Sequence, residues 1–158
     1  MFHSPLPIIV VGLDLLAAMF AVWQGDRAAR IAGVVNLFNS VSLVIYGAIT
    51  GNAQAGEVLE LAGDLIWAVA LLMLVVRYAS LWLGVTMLLQ AVQFSLHAYY
   101  LVMERSHDLI HAWVNNLNEV GISICIIIGT VQAIRRRMAD AQEAAEFEAR
   151  RQRTALAV

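Results

Sequence analysis

Residues 80–134 decide how this chain is read. They run SLWLGVTMLLQAVQFSLHAYYLVM from Ser80 to Met103, then Glu104-Arg105-Ser106, then HDLIHAWVNNLNEVGISICIIIGTVQAI from His107 to Ile134. Each run exceeds the roughly 20 mostly apolar residues that carry an α-helix across a bilayer core. Only three polar residues separate them, which predicts a transmembrane helical hairpin.

Moving outward, the same reading gives three more spans, at about Pro7–Trp23, Ile31–Thr50 and Glu57–Val76. The breaks between them carry turn chemistry: Gln24-Gly25-Asp26, the stretch from Gly51 to Gly56, and Arg77-Tyr78-Ala79. Connections this short make neighbouring spans antiparallel and adjacent. The expected fold is an all-α integral membrane protein, with a five-helix antiparallel bundle over residues 1–137 and a charged C-terminal helix over 138–158.

Composition agrees. Of 158 residues, 61% are apolar and 14% charged, against about 45–50% and 25% in soluble domains. This excludes an ordinary soluble globule, a disordered tail and a collagen-like fibre. There is no lysine, and the net charge of −2 supplies no basic field for a nucleic-acid partner. Cys125 is the single cysteine, so no internal disulfide forms. Met1-Phe2-His3-Ser4 lacks the basic start of a signal peptide, and the first segment reads as a retained span.

Charge sets an expected orientation. With five spans, Arg27, Arg30, Arg77, Arg135, Arg136, Arg137, Arg150, Arg151 and Arg153 share one side, and only Arg105 lies on the other. The positive-inside rule makes the crowded side cytoplasmic. The N-terminus is then outside and the C-terminus inside, in an inner (cytoplasmic) membrane. Trp23, Tyr78 and Trp82 fall at the inner interface, and Tyr46, Tyr99 and Tyr100 towards the outer one, as an aromatic belt. After Arg137 the chain alternates acids, arginines and alanines, which favours a solvated helix, with Glu146 and Arg150 an i,i+4 pair. That tail extends the fifth helix or docks on a cytoplasmic partner.

Ionisable residues inside a span are functional candidates by default, because lipid solvates them poorly. Glu57, Glu60, Asp64 and Trp67 share one face of the third span. Thr86, Gln90, Gln93, His97 and Tyr100 form a stripe along the fourth. In the fifth, His107, His111, Asn115, Asn118 and Cys125 share a face, with Glu119 on its flank. Measured from Glu104, His97 and His111 are each seven residues in, about 10 Å at 1.5 Å per residue. Glu60, Asp64, Gln90, Gln93, His97, His111, Asn115, Asn118 and Glu119 are therefore expected to converge on one polar pocket in the outer half. Asn36, Asn39 and Ser40 read as nearer the cytoplasm, and Asp14 is the one acid of the first span.

Four functions fit these residues. The first is a non-enzymatic structural or accessory subunit of a membrane assembly or homo-oligomer, with Gln90, Gln93, Asn115 and Asn118 bonded between helices. Membrane lipids and other subunits are then its partners. The second is a small transporter or channel built on Asp64, His97, His111 and Glu119. The third is a b-type haem held by His97 and His111, or a transition metal held by Asp64, His97, His111 and Glu119. An intramembrane enzyme with Asp64 and Glu119 as acid and base is the fourth. The chain has no nucleophile elbow, phosphate loop, dinucleotide fingerprint or Cys-x-x-Cys, which weighs against enzymes of the soluble type.

Overall fold

Aspartates open two of the helices. Asp26 Oδ1 accepts the backbone N–H of Ala29 at 2.9 Å, and Asp108 Oδ1 accepts that of His111 at the same distance. Each satisfies a donor that the first helical turn leaves without an intrahelical partner. Left-handed residues close two others. Ala79 follows one helix at φ 45°, and Glu104 follows another at φ 50°. At the second, Arg105 N–H bonds Tyr100 O at 3.1 Å and Glu104 N–H bonds Leu101 O at 3.3 Å, the paired closure of a Schellman end.

The computed structural model describes residues 6–50, 53–106 and 108–156, with side chains throughout except at Leu6, Pro7, Leu43, Val44, Tyr46 to Thr50, Ala53 to Ala55, Ala155 and Leu156. His107 and the side chain of Tyr46 therefore lie outside the described residues. The described chain is all helix: α1 Leu6–Gln24, α2 Arg27–Thr50, α3 Ala53–Tyr78, α4 Leu81–Val102 and α5 Leu109–Leu156. The second helix starts at Arg27, four residues before the expected Ile31. The fifth starts after Asp108, which is left in the turn. The fifth helix is also continuous for 48 residues, with no break at Arg137.

Helices α3, α4 and α5 contain segments long and apolar enough to cross a membrane. The distribution of polarity makes the same point. Asp14, Asn36, Asp64, Thr86, Gln90, Gln93, Asn118 and Ser123 are buried, while Ile8, Leu16, Ile66, Met73, Val76, Leu81, Leu88, Val102 and Leu117 are exposed. Apolar exposure on this scale fits a membrane protein.

Helix α1 packs on α2 and α5, α4 packs on α3 and α5, and α2 touches α3 and α5. A hydrophobic cluster of Ala21, Ala28, Ala29, Ala32, Leu71, Leu74, Trp82, Leu83 and Ile126 fills one half of the interior. Small residues permit this approach only at some of the positions where the sequence offers them. A Cβ on Gly129 would lie 2.4–2.8 Å from the Trp82 ring, whereas one on Gly12 or Gly84 would meet nothing within 4 Å. Trp82 and Tyr100, expected as belt residues, are buried. Trp23 is exposed, as a belt residue would be, and so is Tyr99.

Candidate functional site

The other half of the interior is hollow. A cavity of about 400 Å³ is lined by residues from all five helices, within the size range of small-molecule sites. Its walls carry four carboxylates, Asp14, Glu60, Asp64 and Glu119, together with His97 and His111. No arginine is among the described residues that line it.

One wall is a hydrogen-bond chain whose direction can be traced from a backbone atom. Leu89 O can only accept, so the Asn118 atom 2.8 Å from it is the amide nitrogen. That nitrogen also donates to Gln93 Oε1 at 2.7 Å. Gln93 must then present Nε2 on its other side, where it donates to Asn115 Oδ1 and, at 3.5 Å, to Glu119 Oε1. Asn115 Oδ1 in turn lies 3.1 Å from His97 Nε2. An acceptor at that distance requires the hydrogen on Nε2. His97 Nδ1 faces Asp64 Oδ2 at 2.5 Å, and Asp64 Oδ1 accepts from Gln90 Nε2 at 2.9 Å. The His97–Asp64 pair therefore shares one proton at Nδ1, while Nε2–H is fixed by a chain that ends on α4's own backbone.

The opposite wall belongs to Asp14, which is 3% exposed. Its Oδ1 accepts from Asn36 Nδ2 at 2.7 Å and from Ser123 Oγ at 3.2 Å, and its Oδ2 from Ser40 Oγ at 2.7 Å. Three donors from α2 and α5 surround one carboxyl of α1, compensating its removal from water.

Glu60 and Glu119 are less well provided for. Among the described residues Glu119 has only the 3.5 Å contact with Gln93, and no described side chain donates to Glu60. Trp67, 2% exposed, lines the cavity, and its buried indole N–H meets no acceptor among the described residues. The His111 ring lies 5.4 Å from that of His97 and 4.7 Å from that of Tyr100.

Of the residues expected to converge, Glu60, Asp64, Gln90, Gln93, His97, His111, Asn115 and Glu119 all line the cavity, and Asn118 supports it from behind. Sequence reasoning missed the Asp14 wall, setting Asn36, Asn39 and Ser40 apart from the pocket; all three line the same space. The available signal was a lone acid in an apolar helix facing an Asn-x-x-x-Ser pair in the next one. Among the described residues, no three His, Cys, Asp or Glu side chains are arranged to hold a metal ion. Both ring nitrogens of His97 are engaged by protein atoms, so a haem iron would have to displace Asp64 or Asn115.

No family model, curated protein or solved structure matches this chain.

Proposed function

We propose that this is a five-span membrane protein that binds a small cationic solute within the bilayer and passes it across as a transporter or channel. The pairing of residues supports the topology. Between α4 and α5 the partners run in opposite order, Leu89 with Asn118 and Gln93 with Asn115, as consecutive antiparallel spans would. Between α1 and α5 they run in the same order, Asp14 with Ser123 and Gln24 with Arg137, as first and fifth spans would. Arg27, Arg30, Arg77 and Arg135 to Arg137 gather at the end remote from the cavity, which the positive-inside rule makes cytoplasmic. The cavity then sits in the outer half, and the apolar cluster seals the inner half. Passage requires that seal to open.

The observation that carries the function is the excess of carboxylates over compensating charge in a space of about 400 Å³. Such a site concentrates cations and repels anions. An accessory-subunit role accounts for the amide pairs of Gln90, Gln93 and Asn118, because such bonds hold membrane helices together. It gives no reason for Glu60 and Glu119 to face a hollow.

Thiol labelling tests the reading. Asn116 lines the cavity and makes none of the bonds described above. In a Cys125→Ser, Asn116→Cys variant in right-side-out vesicles, a cationic impermeant methanethiosulfonate should react at least about 10-fold faster than an anionic one. Glu119→Gln should narrow the ratio, and tetramethylammonium should protect the thiol. Equal rates for both reagents would remove the cation reading and return the accessory role to first place. Labelling only from the cytoplasmic face would reverse the orientation.

A further inference from the structure

Resting on that reading, we infer that Asp14 is a second site in the cavity, specific for a proton, and that a bound cation exchanges with this proton one for one. The evidence is the wiring of Ser40. Its hydroxyl carries a single hydrogen but has two acceptors within reach, Asp14 Oδ2 at 2.7 Å and the backbone carbonyl of Asn36 at 3.1 Å. When Asp14 is ionised, Ser40 donates to Oδ2, while Asn36 Nδ2 and Ser123 Oγ donate to Oδ1. When Asp14 is neutral with its proton on Oδ2, that proton is donated to Ser40 Oγ, and the Ser40 hydrogen turns to the Asn36 carbonyl. Oδ1 keeps both of its donors. Every polar atom is satisfied in both states, and the change needs only rotation of one hydroxyl. A buried acid with an unsatisfied alternative state is held in one form by the cost of that loss. At Asp14 the hydrogen bonding is complete in both forms.

The second aspartate of the cavity is wired differently. Asp64 faces His97, whose Nε2–H is pinned by Asn115, so its partner stays in place whatever else is bound. Asp14 has no basic partner among the described residues. The groups that share its cavity are Asn36 and Ser40 of α2, Glu60 and Asp64 of α3, His97 of α4, and His111 and Glu119 of α5. A cation entering among these carboxylates favours ionisation of Asp14. The neutral carboxyl releases its proton to the aqueous phase, becomes a carboxylate beside the cation, and leaves the net charge of the site unchanged. One positive charge enters and one leaves.

Infrared difference spectroscopy of the full-length protein in detergent tests this, with tetramethylammonium as the probe and a pH-sensitive dye in weak buffer. Acidification should reveal the carbonyl stretch of a protonated carboxyl that shifts with carbon-13 aspartate labelling and is lost in Asp14→Asn. Adding tetramethylammonium at a fixed acid pH should bleach that band and release about one proton per cation bound. Asp14→Glu keeps the carboxyl and takes the band out of the aspartate-labelled set, which covers the case in which Asp14→Asn fails to fold. A band that never appears, or that survives in folded Asp14→Asn, overturns the proton site and leaves the cation reading to the thiol test. A band that titrates but ignores a cation that protects Asn116→Cys overturns the exchange alone. If tetramethylammonium neither protects the thiol nor bleaches the band, the exchange and the cation reading fall together.

Discussion

Asp64 Oδ2 lies 2.5 Å from His97 Nδ1, and neither side chain is more than about a tenth exposed. The pair joins α3 to α4 across the cavity. Removing one partner leaves the other buried with its charge or proton uncompensated, which costs about 3 kcal/mol or more, whereas replacing both with apolar residues is often close to neutral. We expect Asp64→Leu and His97→Leu each to lower stability in detergent by about 3 kcal/mol. The double variant should come within about 1 kcal/mol of the parent. Thermal unfolding of the four proteins measures this, and simple additivity of the two losses would show that the pair does not act as a unit.

Asn118 touches neither His97 nor Asp64, yet it sets the hydrogen on His97 Nε2 through Gln93 and Asn115. Asn118→Leu removes the donor that orients Gln93, leaving that amide free to turn over. The expected result is mixed protonation at His97 where the parent protein has a single form. Nitrogen-15 NMR of histidine-labelled protein, assigned with His97→Gln, reports the state of both ring nitrogens. An unchanged spectrum would mean that the orientation of the chain is fixed elsewhere.

Asp108 lies in the turn before α5, outside the membrane spans. The Tyr100 hydroxyl donates to its Oδ1 at 2.6 Å, and the backbone N–H of His111 does so at 2.9 Å. These bonds hold its carboxyl below the ordinary carboxylate range, the tyrosine bond being the larger cause. A carboxyl depressed on folding stabilises the fold above its unfolded pKa, about 3.9 for an aspartate. That contribution is lost as pH falls through the lower folded value. Stability of the parent protein should therefore drop in strongly acid solution, and Asp108→Asn should flatten this limb of the profile. Parallel acid limbs in the two proteins would exclude Asp108 as its source.

Glycine substitutions should separate contact from open lipid. Gly129→Ala drives a methyl group into the Trp82 ring, and overpacking of this kind costs about 1–3 kcal/mol. Gly84→Ala meets no neighbour and removes a helix-interior glycine, for an expected gain of about 0.5–1 kcal/mol. Thermal unfolding again decides, and losses of equal size would contradict the packing at Trp82.

The spacing of polar residues carried much of this architecture. Thr86, Gln90, Gln93 and Tyr100 fall at steps of four, three and seven, and all are buried on α4. Their convergence with Asp64 followed because α3, α4 and α5 are joined by short turns that fix relative depth. The Asp14 wall was harder to read. Ser123 meets Asp14 across 109 positions of sequence, and nothing local to α1 says that α5 returns beside it. Trp82 was misplaced for a similar reason. An aromatic near a helix end reads as an interface anchor until the glycine opposite it, 47 residues on, is known to face it. The turn at Glu104 hid its geometry too, since a glutamate at positive φ leaves no glycine as a marker.

The uninterrupted course of α5 has a mechanical consequence. Its first turns line the cavity with His111, Asn115 and Glu119, and its 48 residues continue without a joint past Arg137 to Leu156. The 22 residues from Arg135 to Leu156 form an arm about 33 Å long at 1.5 Å per residue. A tilt of about 5° at the bundle would swing the tip of that arm by about 3 Å, given the same rise per residue. Such a pointer would convert a rearrangement among the cavity's carboxylates into a larger displacement at the far end of the molecule.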